Sequence, residues 1–92
     1  MTKTIYGIYD AKAAKFTEII VNDNYVNFIR TLKTIVNSDD RNNFLVTCTT
    51  DFSLHKIGEI DDVTGQVVPL QHEILLELQS LKENYGEERK GS

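Results

Sequence analysis

The stretch from Asp51 to Pro69 constrains the fold of this chain most, because it reads as a strand, a tight turn and a second strand. Asp61, Asp62, Thr64 and Gly65 supply the turn. Short polar side chains hydrogen-bond back to the local backbone, and glycine accepts the positive φ that closes a hairpin. On either side, Phe52–Ile60 and Gln66–Val68 are rich in residues that strands favour. The apolar beat of the first arm is uneven, since Leu54, Ile57 and Ile60 are three apart. A β-bulge near His55 or Lys56, or a bend at Gly58, would return them to one face.

The rest of the chain is built around this hairpin. Thr2–Tyr9 and Lys15–Val21 read as two strands, and the short connection between them makes a hairpin the simplest pairing. Asn22, Asp23 and Asn24 are all N-cap residues. After them Tyr25, Phe28, Ile29, Leu32, Ile35 and Val36 recur at helical spacing, which predicts an amphipathic helix packed on a sheet. Asn37–Asn43 is a polar loop, and Phe44–Cys48 reads as a short buried strand in which Cys48 is a small hydrophobe. Pro69 is expected to open a second helix, with Ile74, Leu75, Leu78 and Leu81 as its stripe, Tyr85 one turn on and Gly86 as its stop. Leu76 lies off that stripe and hints at a second packing surface.

The expectation is an α+β fold: a mainly antiparallel sheet of four to five short strands with two amphipathic helices on one face. It forms one domain over residues 1–86, followed by a flexible tail at 87–92. The other sheet face is either solvated or a partner surface, and a homodimer is the working expectation.

Composition narrows the class of function. With 92 residues, 40% hydrophobic and 26% charged, the chain resembles an ordinary globular domain rather than a disordered one. No apolar run approaches the roughly 20 residues of a membrane span, and no signal-peptide pattern follows Met1, so a cytosolic protein without membrane association is expected. The net charge of −4 is uneven: residues 1–45 hold six Lys and Arg against five acids, and residues 46–92 hold four against nine. Any contact with a phosphate backbone belongs to the N-terminal half.

No catalytic pattern emerges. His55 and His72 have no third ligand at zinc spacing, and the ordinary reading of His55 is a solvated residue beside Lys56. Glu59, Asp61 and Asp62 lack the alternation of a calcium loop, and turn formation explains the aspartates. No Ser–His–Asp pattern, Gly-rich phosphate loop or Walker lysine is present. No enzyme, cofactor or metal is therefore expected. A single-stranded DNA surface has more support, because Tyr6, Tyr9 and Phe16 are interleaved with Lys3, Lys12 and Lys15 on the first two strands. Arg30 and Lys33 on the helix can extend the positive strip. The competing reading, which the residues alone favour, makes the aromatics core and the lysines solubilising charges on an edge strand.

Leu54-His-Lys-Ile-Gly-Glu-Ile-Asp-Asp-Val-Thr-Gly-Gln-Val67 resembles the signature of the small nonstructural protein of gokushovirus-type microviruses, tailless phages with single-stranded DNA genomes. Ile57, Gly58, Ile60, Asp61, Asp62, Thr64 and Gly65 match that pattern. Ile8-Tyr-Asp-Ala-Lys12, with Asp10 at the strand exit, and Ile29–Asn37 resemble two further family segments, so the similarity covers roughly residues 3–70. Thr49 and Thr50 stand where the family has a proline and an acid, and Ile19 and Ile20 replace a Pro-Phe pair. The resemblance implies a nonstructural phage protein of the host cytoplasm. By analogy with the C-type protein of larger microviruses, it would turn replication toward single-stranded genome synthesis and packaging. Its expected partners are DNA and a phage or host replication protein. A module that meets a basic partner through the acidic C-terminal half, without touching DNA, is the alternative. The family has no established catalytic residues to carry over, so Gly58, Asp61, Asp62 and Gly65 are expected to serve the fold.

Overall fold

Four strands carry the chain: β1 (Thr2–Asp10), β2 (Lys15–Asn22), β3 (Phe52–Asp61) and β4 (Val67–Glu77). The computed structural model describes residues 1–83. The strands form one sheet in the order β2-β1-β3-β4, and every neighbouring pair is antiparallel. One helix, α1 (Tyr25–Val36), follows β2, and a single helical turn, α2 (Phe44–Thr47), precedes β3.

The two hairpins close through aspartates. Asp10 Oδ1 accepts the backbone N–H of Lys12 at 2.9 Å and of Ala13 at 3.2 Å. Asp61 Oδ1 accepts the N–H of Val63 at 2.8 Å, and the Asp61 carbonyl accepts from Gly65 at 2.7 Å. Gly65 sits at φ +77°, a conformation that costs a residue with a Cβ roughly 1–2 kcal/mol. Thr64 Oγ1 accepts the Gln66 N–H, and the Asp62 carboxylate lies 3.2 Å from the N-terminal amine of Met1. The matched residues of this loop are therefore turn and anchoring residues.

Strand alternation divides the sheet into two faces. On one, Tyr6 and Ile8 of β1 and Phe52 and Leu54 of β3 meet Phe28, Leu32 and Val36 of α1, and Leu78 completes this buried core. Tyr6 lies 4.8 Å from the Phe28 ring by centroids. Burial raises its hydroxyl pKa above the ordinary 10.0; the Tyr25 hydroxyl adds a little, and a hydrogen bond with Thr4 opposes. The Asn24 side chain caps α1 by accepting from the Asn27 N–H. At the other end Asn37 Nδ2 donates to the carbonyls of Lys33 at 2.8 Å and Leu81 at 2.9 Å, while its Oδ1 accepts from the Glu83 N–H at 2.8 Å. That one side chain ties the chain after β4 to the end of α1.

Two expected elements are different. The second amphipathic helix is absent from the described residues: Pro69 and Ile74–Leu76 lie in β4, and Leu78–Leu81 form a 3-10 turn. Register shifts opposite Leu54/His55 and Lys56/Gly58 break the alternation of β4, so a bulged strand imitates helical spacing. Leu76 pairs with Leu54 and packs on the core, which explains its position off the supposed stripe. Proline is tolerated because β4 is an edge strand. Phe44–Cys48 is not a strand; the Asn43 side chain accepts the Leu45 N–H and starts α2, leaving Cys48 exposed. A short apolar run does not distinguish a buried strand from a helical turn. Tyr85, Gly86 and the tail at 87–92 lie outside the described residues.

The bulge expected in β3 is present, where β1 shifts register between Ile5 and Tyr6 opposite Lys56 and Gly58. It does not gather the three apolar residues on one face. Leu54 is in the core, whereas Ile57 lies 3.5 Å from the Cβ position of Gly7 on the opposite side.

Candidate nucleic-acid interface

The face opposite α1 is organised in four cross-strand rows. Lys3, Ile60 and Val67 form the first, and Val21, Ile5, Gly58 and Pro69 the second. Ile19, Gly7, His55 and Ile74 form the third, and Phe16, Tyr9, Ser53 and Glu77 the fourth. Neither helix among the described residues packs on this face. Here Ile19, Val21, Val67 and Ile74 remain 57%, 48%, 54% and 60% exposed.

The aromatic residues gather at the fourth row. Tyr9 and Phe16 are half-buried, with ring centroids 5.1 Å apart in an edge-on arrangement, and both rings pack against the His55 imidazole. The absence of a side chain at Gly7 makes room: a Cβ there would lie 2.7 Å from Phe16 Cδ1. Beneath the rings, Ser53 Oγ lies 2.8 Å from His55 Nε2, and both residues are buried. His55 is thus an interior residue, not the solvated neighbour of Lys56 that its sequence context suggests. The signal was present, because residues two apart on a strand share a face.

The sequence-predicted cations and aromatics separate into four places. Lys12 and Lys15 are exposed at the β1–β2 turn, beside the row of Tyr9 and Phe16. Lys3 shares the open face but stands at its far end. Arg30 and Lys33 are exposed on α1, where they line a shallow cleft of about 490 Å³ with Asn37 and Glu83, and do not join the sheet cations. Tyr6 is 4% exposed under α1 and has no ring face to offer a base. Phe16, which the sequence reading grouped with the other aromatics, proves the closer companion of Tyr9. A second cleft, of about 600 Å³, lies on the helix side; Ile20 and Leu45 help to line it, with Asp10, Glu18 and Asp40 also contributing.

The remaining motif residues serve the fold. Asp10, Asp61, Asp62, Thr64 and Gly65 build turns, Leu54 is core, and Ile57 and Gly58 form the bulge. Among the described residues, no three His, Cys, Asp or Glu side chains gather as metal ligands, and no helix is long and apolar enough to cross a membrane. The family described as Phage ORF5 protein matches residues 3–81 of this chain. The chain belongs to that family. As a Phage ORF5 protein it is a phage protein, and the match spans all four strands and both helices. No curated protein and no solved structure matches this Phage ORF5 chain.

Proposed function

We propose that this Phage ORF5 protein is a non-enzymatic nonstructural protein of the gokushovirus type that binds single-stranded DNA in the host cytoplasm. Through that contact, and through contact with a replication-initiation protein, it turns viral replication toward single-stranded genome synthesis and packaging. The observation that supports this reading is the Tyr9–Phe16 pair beside Lys12 and Lys15. Partly exposed rings offer stacking faces, and exposed lysines at the adjoining β1–β2 turn supply charge to neutralise phosphates. Lys3 extends the same face, whereas Arg30 and Lys33 lie apart and contribute less.

Fluorescent single-stranded and duplex oligonucleotides titrated with the full chain, at low and near-physiological salt, test the reading. It expects binding to single strands that weakens with salt, by a log–log slope of roughly −0.7 for each phosphate neutralised. Lys12→Glu with Lys15→Glu should abolish it. Flat curves at low salt would overturn it. A second reading, a module that meets a basic protein partner through the acidic C-terminal half, has the nine acids against four Lys and Arg of residues 46–92 in its favour. It expects no DNA binding and retention of the protein on immobilised initiator.

A further inference from the structure

We infer that the open sheet face is a two-fold interface with a second copy of this chain. The two middle rows carry no Lys, Arg, Asp or Glu: they hold Val21, Ile5, Gly58 and Pro69, then Ile19, Gly7, His55 and Ile74. Exposed apolar side chains stand at both edges of these rows, Ile19 and Val21 on β2 and Ile74 on β4, with Ile5 partly buried and Gly7, His55 and Gly58 buried between them. Ile57 fills the middle beside Gly7. Monomeric soluble proteins rarely expose contiguous apolar patches larger than a few hundred Å².

The chemistry of the face selects the occupant. A nucleic acid finds no cation in the middle rows, and a charged protein finds no counterion there. Charge is confined to the ends of the face, as Lys3 in the first row and Glu77 on β4 in the fourth, with Lys12 and Lys15 at the β1–β2 turn beyond that row. A surface that is uncharged in the centre, with Lys3 at one end and Glu77 at the other, is compatible with itself, as an isologous interface requires. Its size is also adequate. Four strands about 4.8 Å apart, each contributing about seven residues at roughly 3.3 Å, give a face of roughly 450 Å² in projection. Side-chain relief increases the accessible area, so two such faces bury about 1,000 Å² or more, the lower range for a specific interface. Two sheets stacked at about 10 Å would interdigitate these side chains as the layers of a β-sandwich do. The Tyr9–Phe16 row is the end row of this footprint and the Lys12 and Lys15 turn lies beyond it, so the dimer and the proposed DNA contact share only that row.

Sedimentation equilibrium of the full chain without DNA, from low to high micromolar concentration, tests the inference. The expected mass is that of a dimer. Ile74→Lys and Ile19→Lys each replace an exposed side chain, so folding is retained, and each should weaken dimerisation at least tenfold. Val26→Lys, on the outer side of α1 at 66% exposure, should leave it unchanged. A monomer throughout would overturn the inference. So would a dimer that withstands Ile19→Lys but not Ile74→Lys, which would mark edge-to-edge pairing along β4, or a dimer that Val26→Lys breaks. Loss of DNA binding with dimer mass retained would overturn the proposed function alone.

Discussion

The two faces of this sheet are made from the same strands and behave in opposite ways. On the side of α1, alternate residues of β1 and β3 are sealed: Tyr6, Ile8, Phe52 and Leu54 are all buried. On the other side the middle strands are again covered, with Gly7 and His55 buried, but the edge strands leave Ile19, Val21, Val67 and Ile74 in the open. The difference teaches where the folding energy lies. One helix and one helical turn cover one side, and that side stabilises the chain. The other side keeps apolar surface available for association.

Core truncation gives the largest expected effect in this comparison. Leu54→Ala should destabilise the chain by about 2–5 kcal/mol in urea denaturation, because a fully buried side chain leaves a cavity. Equal loss from Ile74→Ala would erase the distinction between the faces. Next comes Gly7→Ala, where the new methyl must displace the Phe16 ring. Overpacking of this kind costs about 1–3 kcal/mol, and the variant should also bind single-stranded oligonucleotides less tightly than its residual stability explains. Asn37→Ala removes two hydrogen bonds between the end of α1 and the chain after β4, and a third to the Lys33 carbonyl within α1. A loss of about 1–2 kcal/mol, without change in oligonucleotide affinity, would confirm that Asn37 belongs to the sealed side.

Tyr6 supplies a pH probe of the same side. Its folded-state pKa is raised, so the neutral phenol is favoured in the fold. The associated stability is fully present below the unfolded value of about 10 and declines as pH rises through the folded value. Melting temperature should therefore fall above pH 10 and fall less steeply in Tyr6→Phe. Ile74→Ala should have the smallest effect, within about 0.5 kcal/mol of the parent, since its side chain is already 60% exposed.

Most of the sealed side was legible in the sequence. The stripe Phe28, Leu32 and Val36 marked α1 within its observed bounds, Asn24 was among the caps named, and the β3–β4 turn residues behave as their chemistry predicts. The C-terminal segment was not legible, because bulges in β4 place Ile74, Leu75, Leu78 and Leu81 at helical spacing along an edge strand and the turn after it. The same ambiguity turned α2 into an expected strand. Of the candidate site, Tyr9 is observed on the open face beside Phe16, and Lys12 and Lys15 stand exposed at the adjoining β1–β2 turn, where Lys15 pairs with Asp10 rather than with the aromatic row. Tyr6 is not part of it, because strand alternation sends neighbours of Tyr9 at odd separation to the other face. Arg30 and Lys33 fell outside because their helix covers that other face, a relation only the tertiary fold reveals.

The most direct test of the division between the faces is to follow backbone amide shifts of the isotopically labelled chain during titration with a short oligothymidine. The account predicts shifts concentrated at Tyr9, Lys12, Lys15 and Phe16, with Phe28, Leu32 and Val36 unmoved. Shifts centred on Arg30 and Lys33, or none at low salt, would contradict it.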